Sequence, residues 1–337
     1  MANIKLKKFL DELKETNGKL PEDLHVTRKA GAFVAISDGK VIKVSEPQIR
    51  YCPLFTMLFK EKIINTESII KKFEWQIKNI GMFTCHRELS DDKIIVPFGA
   101  SEILMYAVNR GAIDCAVVAC EGAGTLLTPD SSLIQAVGAY MNGIFYTSLV
   151  KEIISKIKAL GGFVLSEEKA ELDQYKGVRK ALKMGYKKIA VTVRGDETSS
   201  LKKIRDIKLK NDEKIYILSV CNSGITKNQA EIVKELADLA WACGSNYIRE
   251  IAGPAAILQL GVKIPVFALS QKGIDLIASY SEDNIFKSKI IIAKKHYITS
   301  NKYKSGAIKA SMGKFSVYLY ETEKLPVISE DEPDPLI

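Results

Sequence analysis

"KIAVTVRGDETSSLKKIRDIKLKNDEKIYILSVCNSG", residues 188–224, decides the fold. A β-branched apolar run gives way to a segment with Leu201, Ile204 and Ile207 at helical spacing. A lysine-rich turn follows, and then a second apolar run that ends at Cys221. Strand, helix and strand in that order form a βα unit, and a chain of such units builds parallel sheet covered by helices.

Upstream the same beat reads "IIVPFGA" then "SEILMYAVNRG", "DCAVVACEG" then "SSLIQAVGAYMNG", "IFYTSL" then "VKEIISKIKALGG", and "FVLS" then "ELDQYKGVRKALKMG". Downstream come "LAWACGS" then "YIREIAGPAAILQLG", and "KIPVFALS" then "GIDLIASYS". Gly111, Gly143, Gly161, Gly185 and Gly261 follow amphipathic stretches, where a left-handed C-cap favours glycine. The expected fold class is α/β: a largely parallel, doubly wound, Rossmann-like sheet, or two such halves. Uneven strand lengths and loop styles argue against a closed barrel.

Before residue 94 the pattern changes. "AGAFVAISDGKVIKVSEP" is two alternating runs joined through Asp38-Gly39, a hairpin signal, and "TESIIKKFEWQIKNIG" is an amphipathic helix. The expected division is an N-terminal α+β cap region at 1–93, a first α/β half at 94–185, a second at 186–325, and an acidic, proline-bearing tail at 326–337 that frays at the surface.

Of 337 residues, 47% are hydrophobic and 26% charged, a globular composition. The opening segment lacks the apolar core of a signal peptide and no run suits a membrane span, so a cytoplasmic protein without a membrane partner is expected. The net charge of +9 comes from lysines scattered along the chain, Lys71 and Lys72 among them. That pattern is a solvated surface, and nucleic acid is not the expected partner.

In a parallel sheet the carboxyl ends of the strands share one edge, and ligands bind there. Reading those ends in order gives Gly99, then Cys120, Glu121, Gly122, Gly124 and Thr125, then Thr192 and Arg194, Cys221, and Cys243. "CEGAGT" reads as a strand-to-helix turn whose glycines let backbone approach a ligand, with Gly99, Gly122, Gly124 and Thr125 as cofactor-binding positions. Glu121 is the candidate general acid or base, with Cys221 a reactive neighbour or further ligand. The six cysteines show no CxxC pair. Cys52, Cys120 and Cys243 are the candidate metal ligands, and three thiolates on one edge suit an iron–sulfur cluster. Three readings stay open at this point: a cluster or other metal, a single nucleophilic thiol, and thiols with no chemistry. Whether the protein is an enzyme is equally open.

Together "IRYCPLF", "PFGASEIL", "CEGAGT", "LIQAVGAYMNG", "LDQYKGVRKA", "GYKKIAVTV", "WACGSNYIRE" and "IPVFALSQKG" resemble the archaeal family called methanogenesis marker protein 8, over about residues 40–275. The resemblance implies a cytosolic protein tied to methane metabolism, acting in maturation of a metalloenzyme or cofactor. The expected partners are a small-molecule ligand at the sheet edge or a methanogenesis enzyme, with a homo-oligomer as a further expectation. It marks Cys52, Cys120, Cys243, Gly99, Gly122, Gly124, Arg249 and Glu250 as motif residues. Two positions depart from the pattern: Glu121 stands for an expected Asp, and Cys221 for an expected His. The alternatives are a non-catalytic docking factor and a cysteine-nucleophile transferase.

Overall fold

A computed structural model describes residues 2–89, 96–140, 142–283, 286 and 295–337. It is a mixed α/β structure with two sheets.

The N-terminal sheet is wholly antiparallel, ordered β3 (Lys40–Val44), β2 (Ala32–Ser37), β1 (His25–Lys29) and β6 (Ile144–Thr147). The Asp38-Gly39 hairpin forms as expected, with both residues at positive φ. Every residue of β2 is buried because its alternate side chains serve two faces. Phe33 and Ala35 pack with Phe9 and Leu13 of α1 (Ala2–Asn17), whereas Val34 and Ile36 pack with Phe55 of α2 (Pro53–Phe59) and Ile69 and Phe73 of α3 (Thr66–Ile80).

The large sheet has eleven strands among the described residues. Its centre is four parallel strands, β4 (Cys115–Cys120), β8 (Lys188–Arg194), β9 (Lys214–Val220) and β10 (Leu239–Trp241). Beyond β4 lie β5 (Gly124–Thr128) and the two-residue β7 (Phe163–Val164), both antiparallel. Beyond β10 come β12 (Val266–Ala268), β11 (Leu258–Leu260), β13 (His296–Ser300), β15 (Phe315–Thr322) and β14 (Ile308–Met312); only β11 and β13 pair in parallel there. One face carries α4 (Ala100–Asn109), α5 (Ser131–Gly138), α6 (Lys151–Ala159) and α10 (Gln271–Tyr280); the other carries α7 (Gln174–Lys183), α8 (Thr198–Arg205) and α9 (Lys227–Leu236). Alternation along β4 feeds both cores: Ala116, Val118 and Cys120 on one side, Cys115 and Val117 on the other. Among the described residues no helix is long and apolar enough to cross a membrane.

The sheet is therefore mixed rather than largely parallel, for identifiable local reasons. "CEGAGT" is a hairpin, not a strand-to-helix turn: Cys120 pairs with Gly124 across a three-residue loop, and Gly122 and Gly124 take positive φ of 74° and 77°. "IFYT" forms a strand but joins the N-terminal sheet beside β1, because apolar alternation marks a strand without saying which sheet receives it. In "YIREIAGPAAILQLG" the expected helix is only a π-helical turn, Ile248–Ala252; Gly253 and Pro254 end it, and "LQL" becomes β11, turning back into β12. In "IIVPFGA" Ile94 and Ile95 lie outside the described residues, and Gly99 is the N-cap of α4. Of the expected C-cap glycines, Gly111, Gly161 and Gly185 adopt the left-handed conformation after α4, α6 and α7, while Gly143 stands just before β6 without a positive φ and Gly261 follows a strand.

The tail is held, not frayed. Asp334 exchanges backbone hydrogen bonds with Tyr51, Ile337 N donates to Gly244 O at 2.8 Å, and Glu332 pairs with Arg249 at 3.0 Å. The tail thus runs between the N-terminal region and the loop after β10.

Candidate functional site

At the carboxyl ends of β8, β9 and β10, under the N-terminal sheet, lies a cavity of about 350 Å³. The edge logic of a parallel sheet thus places a hollow where the sequence predicts one. Thr192 and Arg194 end β8, Val220 and Cys221 end β9, and Trp241 and Cys243 end β10; all line it. Arg28 and Lys29 of β1, Cys52 before α2, Lys72 and Gln76 of α3, and Gly99 close it from the other side.

Cys221 and Cys243 are held with φ of 56° and 48°, a left-handed conformation uncommon for residues other than glycine. The lacing of the two loops explains how. Buried Asn222 donates from Nδ2 to Trp241 O at 2.7 Å and to Ser219 O at 3.0 Å, while Ser219 Oγ donates to Asn222 Oδ1 at 2.8 Å. Gly244 N donates to Ser223 Oγ at 3.0 Å. Neighbouring strand ends are therefore bolted together, and both thiols are fixed along the cavity wall.

The electrostatics are asymmetric. Arg194 is neutralised: Nε meets Asp196 at 2.9 Å, Nη1 meets Glu197 at 2.8 Å, and the guanidinium lies 4.0 Å from the Phe145 ring centroid. Arg28 donates to Cys221 O at 2.9 Å and faces the same ring at 5.1 Å, and Lys29 lies 5.4 Å from the Phe55 ring. Among the described residues neither has a carboxylate at ion-pair distance. Lys72 is buried at 4% exposure, its Nζ has no hydrogen-bond partner, and burial pushes its pKa far down, with Lys29 adding to the effect. Half-buried Arg28 and Lys29, cations without counter-ions among the described residues, favour a ligand that brings negative charge. Burial pushes the Cys221 thiol up against the opposing pull of Arg28 and Arg194, and pushes Cys243 up to about 12. Without a ligand both thiols carry their protons at neutral pH.

The structure brings Cys52, Cys221, Cys243 and Gly99 to this cavity; Cys120, Glu121, Gly122, Gly124 and Thr125 lie elsewhere. Glu121 is fully buried against Arg87 Nε at 2.5 Å, and Arg87 Nη2 donates to Ala136 O at 2.8 Å. The Cys120 thiol is buried beside Glu121, and desolvation raises its pKa strongly. A Cβ on Gly122 would come within 2.7 Å of Ile153 Cδ1, and one on Gly124 within 2.4 Å of Glu171 O, so close packing occupies the space beside both. Thr125 Oγ1 donates to Gln174 Oε1 at 2.8 Å and accepts from Asp173 N at 2.9 Å, pinning the start of α7. Arg249 lies buried between Glu332 and Ser245 O, and Glu250 accepts from Asn246. Cys52, Cys120 and Cys243 do not converge as a ligand set. Among the described residues no three His, Cys, Asp or Glu side chains are placed to hold a metal ion, so no chemical step is assigned to one.

Sequence reasoning missed Arg28, Lys29, Lys72 and Gln76. The first two sit on a strand that pairs far from the sheet edge in sequence, and no local pattern marks them. Lys72 did carry a signal. Ile69, Lys72, Phe73, Gln76 and Ile80 recur at helical spacing on the buried face of α3, whereas Lys71, read with Lys72 as surface, is exposed and paired with Glu67 at 2.7 Å.

This architecture defines a class: a mixed α/β protein with a cationic, cysteine-lined cavity at the carboxyl ends of parallel strands. The family described as "Uncharacterized protein conserved in archaea (DUF2099)" matches residues 25–281, and the chain belongs to that family. The matched span runs from β1 through α10 and includes the described cavity wall apart from Pro333 of the tail. "Uncharacterized protein MJ0054" of Methanocaldococcus jannaschii is 38% identical over 317 residues, which cover 94% of this chain and 100% of that relative.

Proposed function

We propose that the protein binds a small anionic molecule in this cavity and that Cys221 and Cys243, with Cys52 beside them, are the thiols that meet it. The observation that carries the reading is the convergence of Arg28 and Lys29, without carboxylate partners, on two thiols fixed in left-handed loops at adjacent strand ends. Strain kept in two neighbouring loops is a mark of functional sites. Protonated thiols favour binding or a ligand-triggered reaction over a standing thiolate nucleophile. The motif resemblance to methanogenesis marker protein 8 supports methane metabolism as the setting, with the anion a cofactor or cofactor precursor and the protein an enzyme or maturation factor.

The test is melting temperature and iodoacetamide labelling, mapped by peptide mass spectrometry, in the presence of phosphate, oxalate and citrate. A bound anion at about 100 times its Kd stabilises the fold by about 2.7 kcal/mol. It should also slow labelling of Cys221 and Cys243 while leaving exposed Cys85 unprotected. Arg28→Gln should remove both effects. A panel in which no anion moves either readout overturns the reading.

A further inference from the structure

Lys72 is a costly residue that the anion-binding reading leaves unused. It lies on α3 between Ile69 and Phe73, both fully buried, with its Nζ 3.6 Å from the Phe73 ring centroid and no hydrogen-bond partner. One turn further along the same face, Gln76 donates from Nε2 to Tyr140 O at 3.3 Å while its Oε1 is unpartnered. Both residues line the cavity, where the α2–α3 wall is otherwise apolar: Leu58, Phe59 and Ile64. An amine without a partner in such surroundings is destabilising relative to a thioether or alkyl chain of similar length. Charge recognition does not account for it, because Arg28 and Lys29 already supply cations. What Lys72 adds is an amine nitrogen without a hydrogen-bond partner, on the same helix face as an unpartnered acceptor, lining a hollow that takes a small molecule.

We propose that Lys72 is the nucleophilic amine of this cavity and condenses with the aldehyde or ketone carbon of an anionic substrate. Desolvation in an apolar pocket is one of the ways proteins activate a lysine for this chemistry. The step balances without an added oxidant or reductant. Nζ attacks the carbonyl carbon, a C–N bond forms, and the carbonyl π pair moves to oxygen. One amine proton passes to that oxygen, giving a carbinolamine. Loss of its hydroxyl together with the second amine proton releases one water and leaves a C=N bond. Gln76 Oε1 is the acceptor available to the carbinolamine hydroxyl, which makes Gln76 a positioning residue. Arg28 and Lys29 hold the substrate's anionic group, so the assignment rests on the anion-binding reading above.

The probe is glyoxylate, an anionic aldehyde, with cyanoborohydride at pH 7 to trap any imine as a stable secondary amine located by peptide mass mapping. Trapping at Lys72 should run at least about tenfold faster than at its exposed neighbour Lys71, since each unit by which a lysine pKa falls frees tenfold more amine. Lys72→Met should lose that adduct and, having shed an unpaired buried amine, remain folded with a melting temperature no lower than wild type. Gln76→Leu should slow trapping and leave Lys72 the site. Labelling of Lys72 no faster than Lys71 overturns the proposal. Oxalate, which has no aldehyde, separates the two readings. Protection of Cys221 by oxalate with Lys72 unlabelled sinks the imine and keeps the anion site. Fast Lys72 labelling that Arg28→Gln leaves unchanged, with no protection by oxalate, does the reverse.

Discussion

Glu121→Gln separates a buried structural charge from an acid–base group. In the wild type Arg87 is 2% exposed and Glu121 0%, the two meet at 2.5 Å, and the other guanidinium nitrogens donate to the backbone carbonyls of Glu88 and Ala136. Every direction around the guanidinium is filled by protein, so water cannot replace the lost carboxylate charge. Breaking one side of such a pair costs about 3–5 kcal/mol; glutamine keeps an acceptor oxygen in place, which puts the expected loss near the lower end, about 3 kcal/mol. Equilibrium urea unfolding reads it directly, with Trp75 on α3 and Trp241 on β10 as fluorescent reporters of the two sheets. The midpoint should fall with no change in slope, and anion protection of Cys221 should survive in the fraction still folded. Arg87→Met with Glu121→Leu should recover most of the loss, because an apolar pair of similar volume removes both desolvation penalties at once. The reasoning is refuted if Glu121→Gln unfolds at the wild-type urea concentration but abolishes protection, since Glu121 would then be acting at the cavity from which the structure separates it.

Three further outcomes follow from particular residues. Burial pushes the pKa of His25 down to about 4, with its Nδ1 2.7 Å from Thr147 Oγ1. The folded form therefore stays neutral while the unfolded chain takes up a proton below pH 6.5, so stability should fall between pH 6.5 and 4 by about 3 kcal/mol and level off below; a His25→Gln variant with the same pH profile would contradict this. Lys72, with its pKa also depressed, follows the same sign in a window that opens at higher pH. Its charge penalty is largest below its folded pKa and vanishes above about 10.4, so Lys72→Met should gain most stability at neutral pH and a smaller amount, that of the unpaired neutral amine, in strong alkali, as paired urea titrations would read. Gly124→Ala places a Cβ 2.4 Å from Glu171 O at a φ of 77°, whereas Gly161→Ala meets nothing within 4 Å at a φ of 76°. Left-handed strain of about 1–2 kcal/mol is common to both, so the melting temperature should drop clearly further for Gly124→Ala, and equal drops would show that close packing is not what holds the hairpin.

The resemblance of "CEGAGT" to a ligand turn shows where local reading stops. Glycines at 122 and 124 do mark a left-handed backbone, yet the same signal serves a hairpin and a strand-to-helix turn. Only the pairing of Cys120 with Gly124 distinguishes them. The same limit applies to "IFYT", whose alternation is legible but whose partner strand lies more than a hundred residues away.

What the sequence determined by itself is periodic: the strands of "KIAVTV" and "KIYILSV", the helices between them, the Asp38-Gly39 hairpin, and the ends of parallel strands as the place for Cys221 and Cys243. Those features depend on side chains a few positions apart, and backbone geometry repeats over that distance. What only the tertiary structure decided is which sheet each strand enters, that Glu121 is spent on Arg87, and that Arg28, Lys29 and Lys72 close the cavity around the cysteines. Those contacts join residues tens to hundreds of positions apart, and burial, which strips Lys72 of water and of partners, is set by the packed whole.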